Sequence, residues 1–180
     1  MNIVTVPYNS DFYYIRPDIS LNRDSNDYFC PDEVTEITVA PFVYIRMDKA
    51  GKAISYKFAG RYCSQIGYGV NLTAQSLVNK DYPMSFLTAN SLDNTTYVSK
   101  LYLPEEFQTD SLQENNLQGH NINLNFSTSE LIDRFHKQIE KITRLTSVRT
   151  GDLILLELAE PAPVKLGETV KFGELSFTIK

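Results

Sequence analysis

The chain has little of what compact catalytic and metal motifs are usually built from. Two cysteines, Cys30 and Cys63, and two histidines, His120 and His136, are spread over 180 residues. Neither cysteine stands in a C-x-x-C arrangement and the histidines lack ligand spacing, which excludes a zinc or dithiol motif. No window holds the roughly 18 apolar residues of a membrane span, and the start, MNIVTVPYNSDFYYIRPD, lacks the cationic and unbroken apolar regions of a signal peptide. No block of Lys and Arg is present, and a net charge of −5 leaves no electrostatic footprint for a nucleic-acid backbone. A cytoplasmic protein with no nucleic-acid or membrane partner is expected. Its cysteines are then reduced core residues, and the sequons at Asn71, Asn94 and Asn125 carry no meaning.

What is present is a β-rich globular chain. Short runs of β-branched and aromatic residues alternate with turn residues, which predicts strands over 2–6, 12–15, 36–47, 68–72, 96–103, 122–126, 152–158, 169–172 and 175–180. Pro41 cannot donate to a ladder, so it marks an edge or a bulge. One helix is well specified in STSELIDRFHKQIEKI. Ser127 and Glu130 have capping-box spacing, and Leu131, Ile132, Phe135, Ile139 and Ile142 share a face, with His136 beside that stripe. A second amphipathic helix is expected over 54–65, with Tyr56, Phe58, Ala59, Tyr62 and Cys63 toward the core, and a third short one over 74–78. Gly151, Gly167 and Gly173 punctuate tight turns near the C-terminus. The polar run 108–121 reads as a surface loop. With no repeat and no linker, residues 1–180 form one domain.

Two acid-free stretches stand out, Val39–Met47 and Gly69–Lys80. Four segments, IRPDISL, FVYIRMDKAGKAI, GYGVNLTAQSL and RTGDLILLELAEPAPVKLGETVKFGELSFTIK, resemble in order the fumarylacetoacetate hydrolase family, whose bacterial relatives include isomerases, hydratases, acylpyruvases and oxaloacetate decarboxylases. The resemblance implies an α+β, β-rich fold: a mixed β-sandwich roll with a few short helices. It also implies a Mg²⁺ or Mn²⁺ site built from a Glu-x-Glu pair and a downstream Asp, acting on a small keto acid. Carried over residue by residue, the carboxylate pair falls on Ala40 and Phe42 and the Asp on Asn71. The family's Thr/Ser-Ala-Arg-Asp stretch becomes Thr73-Ala74-Gln75-Ser76, the lysine of its Lys-x-Phe-Asp stretch becomes Asn90, and its Thr-Gly-Thr-Pro turn becomes Leu156-Glu157-Leu158-Ala159. The segment between Tyr8 and Phe12 is too short for the family's His-bearing lid.

The reading is therefore a divergent member without metal ligands, cofactor or assigned catalytic residue, kept for structure, assembly or small-ligand binding. Arg16, Asn71, Gln75, Asn90 and Asp93 form the candidate ligand cluster, with Arg16 suited to a small carboxylate. A rival reading is a metal-independent hydrolase, isomerase or decarboxylase for a small keto acid, using Asp18, Asp93, His120 or Glu157. The resemblance also implies association as a homodimer, and a third reading makes the chain a subunit beside an active paralogue in a heterodimer.

Overall fold

The computed structural model describes residues 1–109, 112, 116, 117, 120, 121 and 126–180. Its centre is a mixed eight-stranded sheet. Strands β1 (Ile3–Val6), β2 (Tyr14–Arg16), β3 (Leu21–Asn22), β4 (Ile37–Arg46), β5 (Ile66–Ala74), β6 (Thr96–Val98) and β9 (Leu153–Glu157) follow the order β2-β1-β9-β4-β5-β6-β3. β1–β9 and β3–β6 are parallel, whereas the other neighbours are antiparallel. The strand β10 (Ala162–Val164) adds to β4 beyond the end of β9.

Two observations show that this sheet curls into a roll. Its edge strands β2 and β3 are joined by residues 17–20 alone, so the two ends of the order lie close together. In addition, Arg16 on β2 bonds Leu72 O on β5 at 2.7 Å, although a flat sheet would separate those strands by roughly 19 Å at the usual inter-strand spacing. The strand alternation then sorts side chains into an outer and an inner set. Val4, Val6, Val43, Ile45, Val70, Ile154 and Leu156 belong to the main core, and Ile3, Phe42, Tyr44, Val98, Leu153 and Leu155 form a smaller cluster inside the roll.

The helix expected at Ser127 is α3 (Thr128–Leu145), and both halves of its capping box form. Ser127 Oγ accepts from Glu130 N at 3.3 Å, and Glu130 accepts from Ser127 N at 2.8 Å. Leu131, Phe135, Ile139 and Ile142 are buried in the main core. His136 is partly buried at the edge of the Tyr56 ring, a packing position. A C-terminal hairpin, β11 (Thr169–Phe172) and β12 (Leu175–Thr178), closes the outer side. It places Phe177 flat on Tyr97 at 3.5 Å between centroids and Phe172 edge-on to Tyr68. The three punctuating glycines all have positive φ: 88° at Gly151, 84° at Gly167 and 58° at Gly173.

Several expectations are corrected. The helix over 54–65 shrinks to α1 (Tyr56–Ala59), because the chain turns after Gly60 and enters β5 at Ile66. Tyr56 and Phe58 are exposed rather than core-facing, and Arg61 and Lys57 lie over the Phe58 ring. The helix over 74–78 is a single 3₁₀ turn, Gln75–Leu77. The strand over 96–103 stops at Val98, leaving Tyr102 as an isolated bridge to Ile66. The short helix α2 (Ser85–Ala89) and β10 lack a clear periodic signal in sequence. Within the run read as a surface loop, Leu112 and Leu117 are buried, and β7 (Asn116–Leu117) pairs with β8 (His120–Asn121). The strand expected over 122–126 falls almost wholly outside the described residues.

Pro41 does mark a bulge, carried by the partner strand. Leu158 N donates to Pro41 O at 2.9 Å, but proline cannot return the reciprocal bond, so the β4–β9 ladder ends there. Pairing resumes at Ala162↔Val39, which leaves residues 159–161 opposite Ala40 alone.

Gly69 is required by close approach. A Cβ there would lie 2.1 Å from Tyr97 O and 2.4 Å from the Phe42 ring. Gly69→Ala should therefore cost about 3 kcal/mol, read as a lower urea midpoint at unchanged slope. An unchanged midpoint would mean that the strands are not so tightly apposed.

Candidate functional site

One end of the roll's interior is polar. Register fixes who shares it: Thr5 faces Tyr14 across β1–β2, Ala40 faces Asn71 across β4–β5, Phe42 faces Glu157 across β4–β9, and Asn71 faces Thr96 across β5–β6. The candidates Arg16, Asn71 and Asn90 are brought together in this end, all essentially without solvent exposure. The other two lie apart. Gln75 is exposed and lines a separate cavity of about 600 Å³ with Cys30, Ile37, Thr38 and Val164. Asp93 is exposed in another, of about 480 Å³, with Asn22, Asp27 and Tyr28.

Arg16 is the hub. Its Nη1 donates to Asn90 Oδ1 at 3.1 Å, and its Nη2 donates to Leu72 O at 2.7 Å and Thr95 Oγ1 at 2.9 Å. No described carboxylate is in ion-pair contact with it. Asn90 Oδ1 also accepts from Tyr14 Oη at 3.1 Å and Thr73 Oγ1 at 2.8 Å, while Asn90 Nδ2 donates to Phe86 O at 2.8 Å. Burial pushes the Tyr14 phenol up to about 12, against the lowering effect of Arg16, so it serves as a hydrogen-bond donor. Sequence reading passed over Tyr14 and Thr95. The signal for Tyr14 was its place two residues before Arg16 in a strand, which puts both on one face.

Glu157 is the carboxylate of this cluster. Its Oε1 accepts from Asn71 Nδ2 at 3.0 Å. Burial raises its carboxyl above the ordinary value of 4.5, while the Asn71 hydrogen bond, the Arg16 charge and the Tyr8 N–H pull it back down. Of the other residues weighed for acid–base work, Asp18 pairs with the N-terminal ammonium at 3.8 Å, and the side chain of His120 lies outside the described residues. Three buried polar atoms here lack a partner among the described residues: Arg16 Nε, Asn71 Oδ1 and Thr5 Oγ1.

A divalent cation does not fit these residues. Ala40 and Phe42 border Asn71 on the inner face as the resemblance requires, but they offer a methyl group and a ring. The Phe42 ring also fills the space over Gly69. What remains is one carboxylate, one amide oxygen and a buried guanidinium whose charge opposes a second cation. No group of three His, Cys, Asp or Glu placed to hold a metal occurs among the described residues.

No family model matches the chain, and no curated protein does. Solved structures do match. A fumarylpyruvate hydrolase from Pseudomonas aeruginosa, in complex with Mn²⁺ and pyruvate, aligns at TM-score 0.74 and 14% identity over 99% of this chain and 89% of its own. A protein ascribed to the fumarylacetoacetate hydrolase family from Yersinia pestis gives 0.75 and 15% over 99% and 92%. The 2-hydroxyhepta-2,4-diene-1,7-dioate isomerase from Mycobacterium marinum gives 0.77 and 17% over 99% and 73%. At such identities the likeness establishes the fold: this is a fumarylacetoacetate-hydrolase-like α+β protein.

Replacing Arg16 removes one donor from each of three acceptors inside the roll, Asn90 Oδ1 keeping those from Tyr14 and Thr73. Arg16→Met should cost about 3 kcal/mol in chemical denaturation, and a loss under 1 kcal/mol would contradict a hub role. Glu157 gives a pH signature. Its folded carboxyl titrates above its unfolded one, so its contribution to stability is full below 4.5 and is lost as pH rises through the higher folded value. Relative to wild type, Glu157→Gln should flatten the decline of melting temperature above that pH. Parallel curves would refute the burial account.

Proposed function

We propose that this chain is a catalytically silent relative of the enzymes that share its fold, with a structural, assembly or small-ligand-binding role. The observation that carries this reading is the fully buried Arg16, whose Nη1 and Nη2 donate to Asn90, Leu72 and Thr95 where a metal enzyme would need convergent carboxylates. A cation joined to neutral acceptors braces the interior and supplies no Lewis acid, and the cluster's one described carboxyl has no second carboxylate or described histidine beside it, while the Tyr14 phenol near it is held protonated with its pKa pushed up to about 12. The Mn²⁺ and pyruvate named for the Pseudomonas relative are thus not carried over. In the assembly form of this reading, the chain pairs with itself or with a longer active paralogue. Exposed Phe12, Tyr82 and Met84 supply apolar surface for such a contact. A cytoplasmic location is part of this proposal and rests on the expectation from sequence; of the described residues, no helix is long and apolar enough to cross a membrane.

The second reading, a metal-independent enzyme on a small keto acid, draws on Glu157. It is an acid with a raised pKa, hydrogen-bonded to Asn71, in the same polar end as Tyr14. Calorimetry and turnover assays separate the two. The silent reading expects no stoichiometric uptake of Mg²⁺ or Mn²⁺ at micromolar concentration and no hydrolysis or decarboxylation of acylpyruvates or oxaloacetate. Metal-free turnover abolished by Glu157→Gln would establish the second reading instead, and stoichiometric metal uptake would overturn both.

A further inference from the structure

A cavity of about 360 Å³ opens where the loop after β1 meets α3 and the end of β9. Its walls include Tyr8, Asn9, Ser10, Arg134, Gln138 and Glu157. The volume is at the lower end of the range for small-molecule sites, so any occupant is small. Its wall carries two opposite charges with different commitments. Glu157 uses one carboxylate oxygen on Asn71 and is also reached by the Tyr8 N–H, yet a carboxylate offers about four acceptor positions, so acceptor capacity remains. Arg134 lies with its guanidinium 3.8 Å from the centre of the Phe126 ring. A guanidinium stacked by its face keeps its edge donors for a planar anion. No described carboxylate is in ion-pair contact with Arg134. The other acid on the wall, Asp11, is almost fully exposed and paired with Lys141 at 3.3 Å, so it belongs to the rim.

Such a wall selects by sign at both ends. An anion alone would satisfy Arg134 and set a second negative charge near Glu157, whereas an amine alone would leave Arg134 without a counter-ion. We propose that this cavity binds a small α-amino acid, its ammonium toward Glu157 and its carboxylate toward Arg134. Gln138 and Asn9 provide amides for a short polar side chain. The selectivity is opposite to that of a keto-acid site, since replacing the ammonium by a carbonyl removes the group that Glu157 would hold.

The test uses the full chain in chelator, so that its outcome is independent of metal binding. Thermal shift and titration calorimetry are run with glycine, alanine, serine and glutamine, and with pyruvate and ethylamine as single-charge controls. At least one amino acid at millimolar concentration should raise the melting temperature and bind at one per chain, with neither control doing so. Arg134→Met, on an exposed helix position that leaves the core untouched, should weaken that binding by about tenfold or more. Glu157→Gln should do the same. The proposal is overturned if none of the amino acids shifts the melting temperature, if pyruvate binds as well as alanine, or if Arg134→Met binds like wild type.

Discussion

The bond from Arg16 to Leu72 is the constraint on which this fold turns. It joins an edge strand to one four places away in the sheet order, and it can do so only because the sheet closes into a roll around it. Burying a guanidinium is unfavourable unless its donors are met. The surrounding residues meet most of them with groups of fixed position: a carbonyl on β5, a hydroxyl at Thr95, and the Asn90 amide oxygen at the end of α2. Once those are placed, Tyr14 and Thr73 have their partner as well. The interior polar network and the curvature of the sheet are one structural fact.

The same constraint accounts for the chemistry that these residues do not support. A divalent site of the kind implied by the family resemblance gathers negative oxygens around a compact double charge. Here the positive charge is covalently attached and spread over a planar group, and the oxygens facing it are neutral. Asn71 keeps the shape of a carboxylate without its charge, and its amide Nδ2 donates to Glu157. An aspartate at that position would face a nearby acid with no metal between them. The amide avoids that repulsion, leaving one unpartnered oxygen, Asn71 Oδ1.

Much of the architecture was legible because it rests on periodicity and caps. The capping box at Ser127, the apolar stripe of the long helix, the strands read over 36–47 and 68–72, which form as Ile37–Arg46 and Ile66–Ala74, and the bulge signalled by Pro41 all follow from local rules that tertiary packing did not override. The first helix was misread because Tyr56 and Phe58 were counted as core, whereas cationic neighbours cover Phe58 at the surface. β10 was missed because its proline concealed a three-residue edge strand. For the site, the sequence pointed to Arg16, Asn71 and Asn90, which chain order leaves far apart. It could not show that Gln75 leaves the group at a 3₁₀ turn, or that Asp93 faces another cavity. Nor did it show Glu157 as the cluster's carboxylate, because that depends on which strand β9 lies against. Resemblance conveyed the fold well and the local chemistry only as a list of replacements.

The bulge opposite Ala40 also divides the outer edge of β4. Five register pairs hold β9 and three hold β10, with a proline between them that cannot link the two ladders. Solvent exchange at the β10 amides is therefore governed by a short ladder of its own, which can fray while β9 remains protected. Looseness is thereby confined to these three residues, since the hairpin that follows is pinned to the roll by Phe177 on Tyr97 and by the backbone bonds of Tyr28 with Thr178 and Lys180.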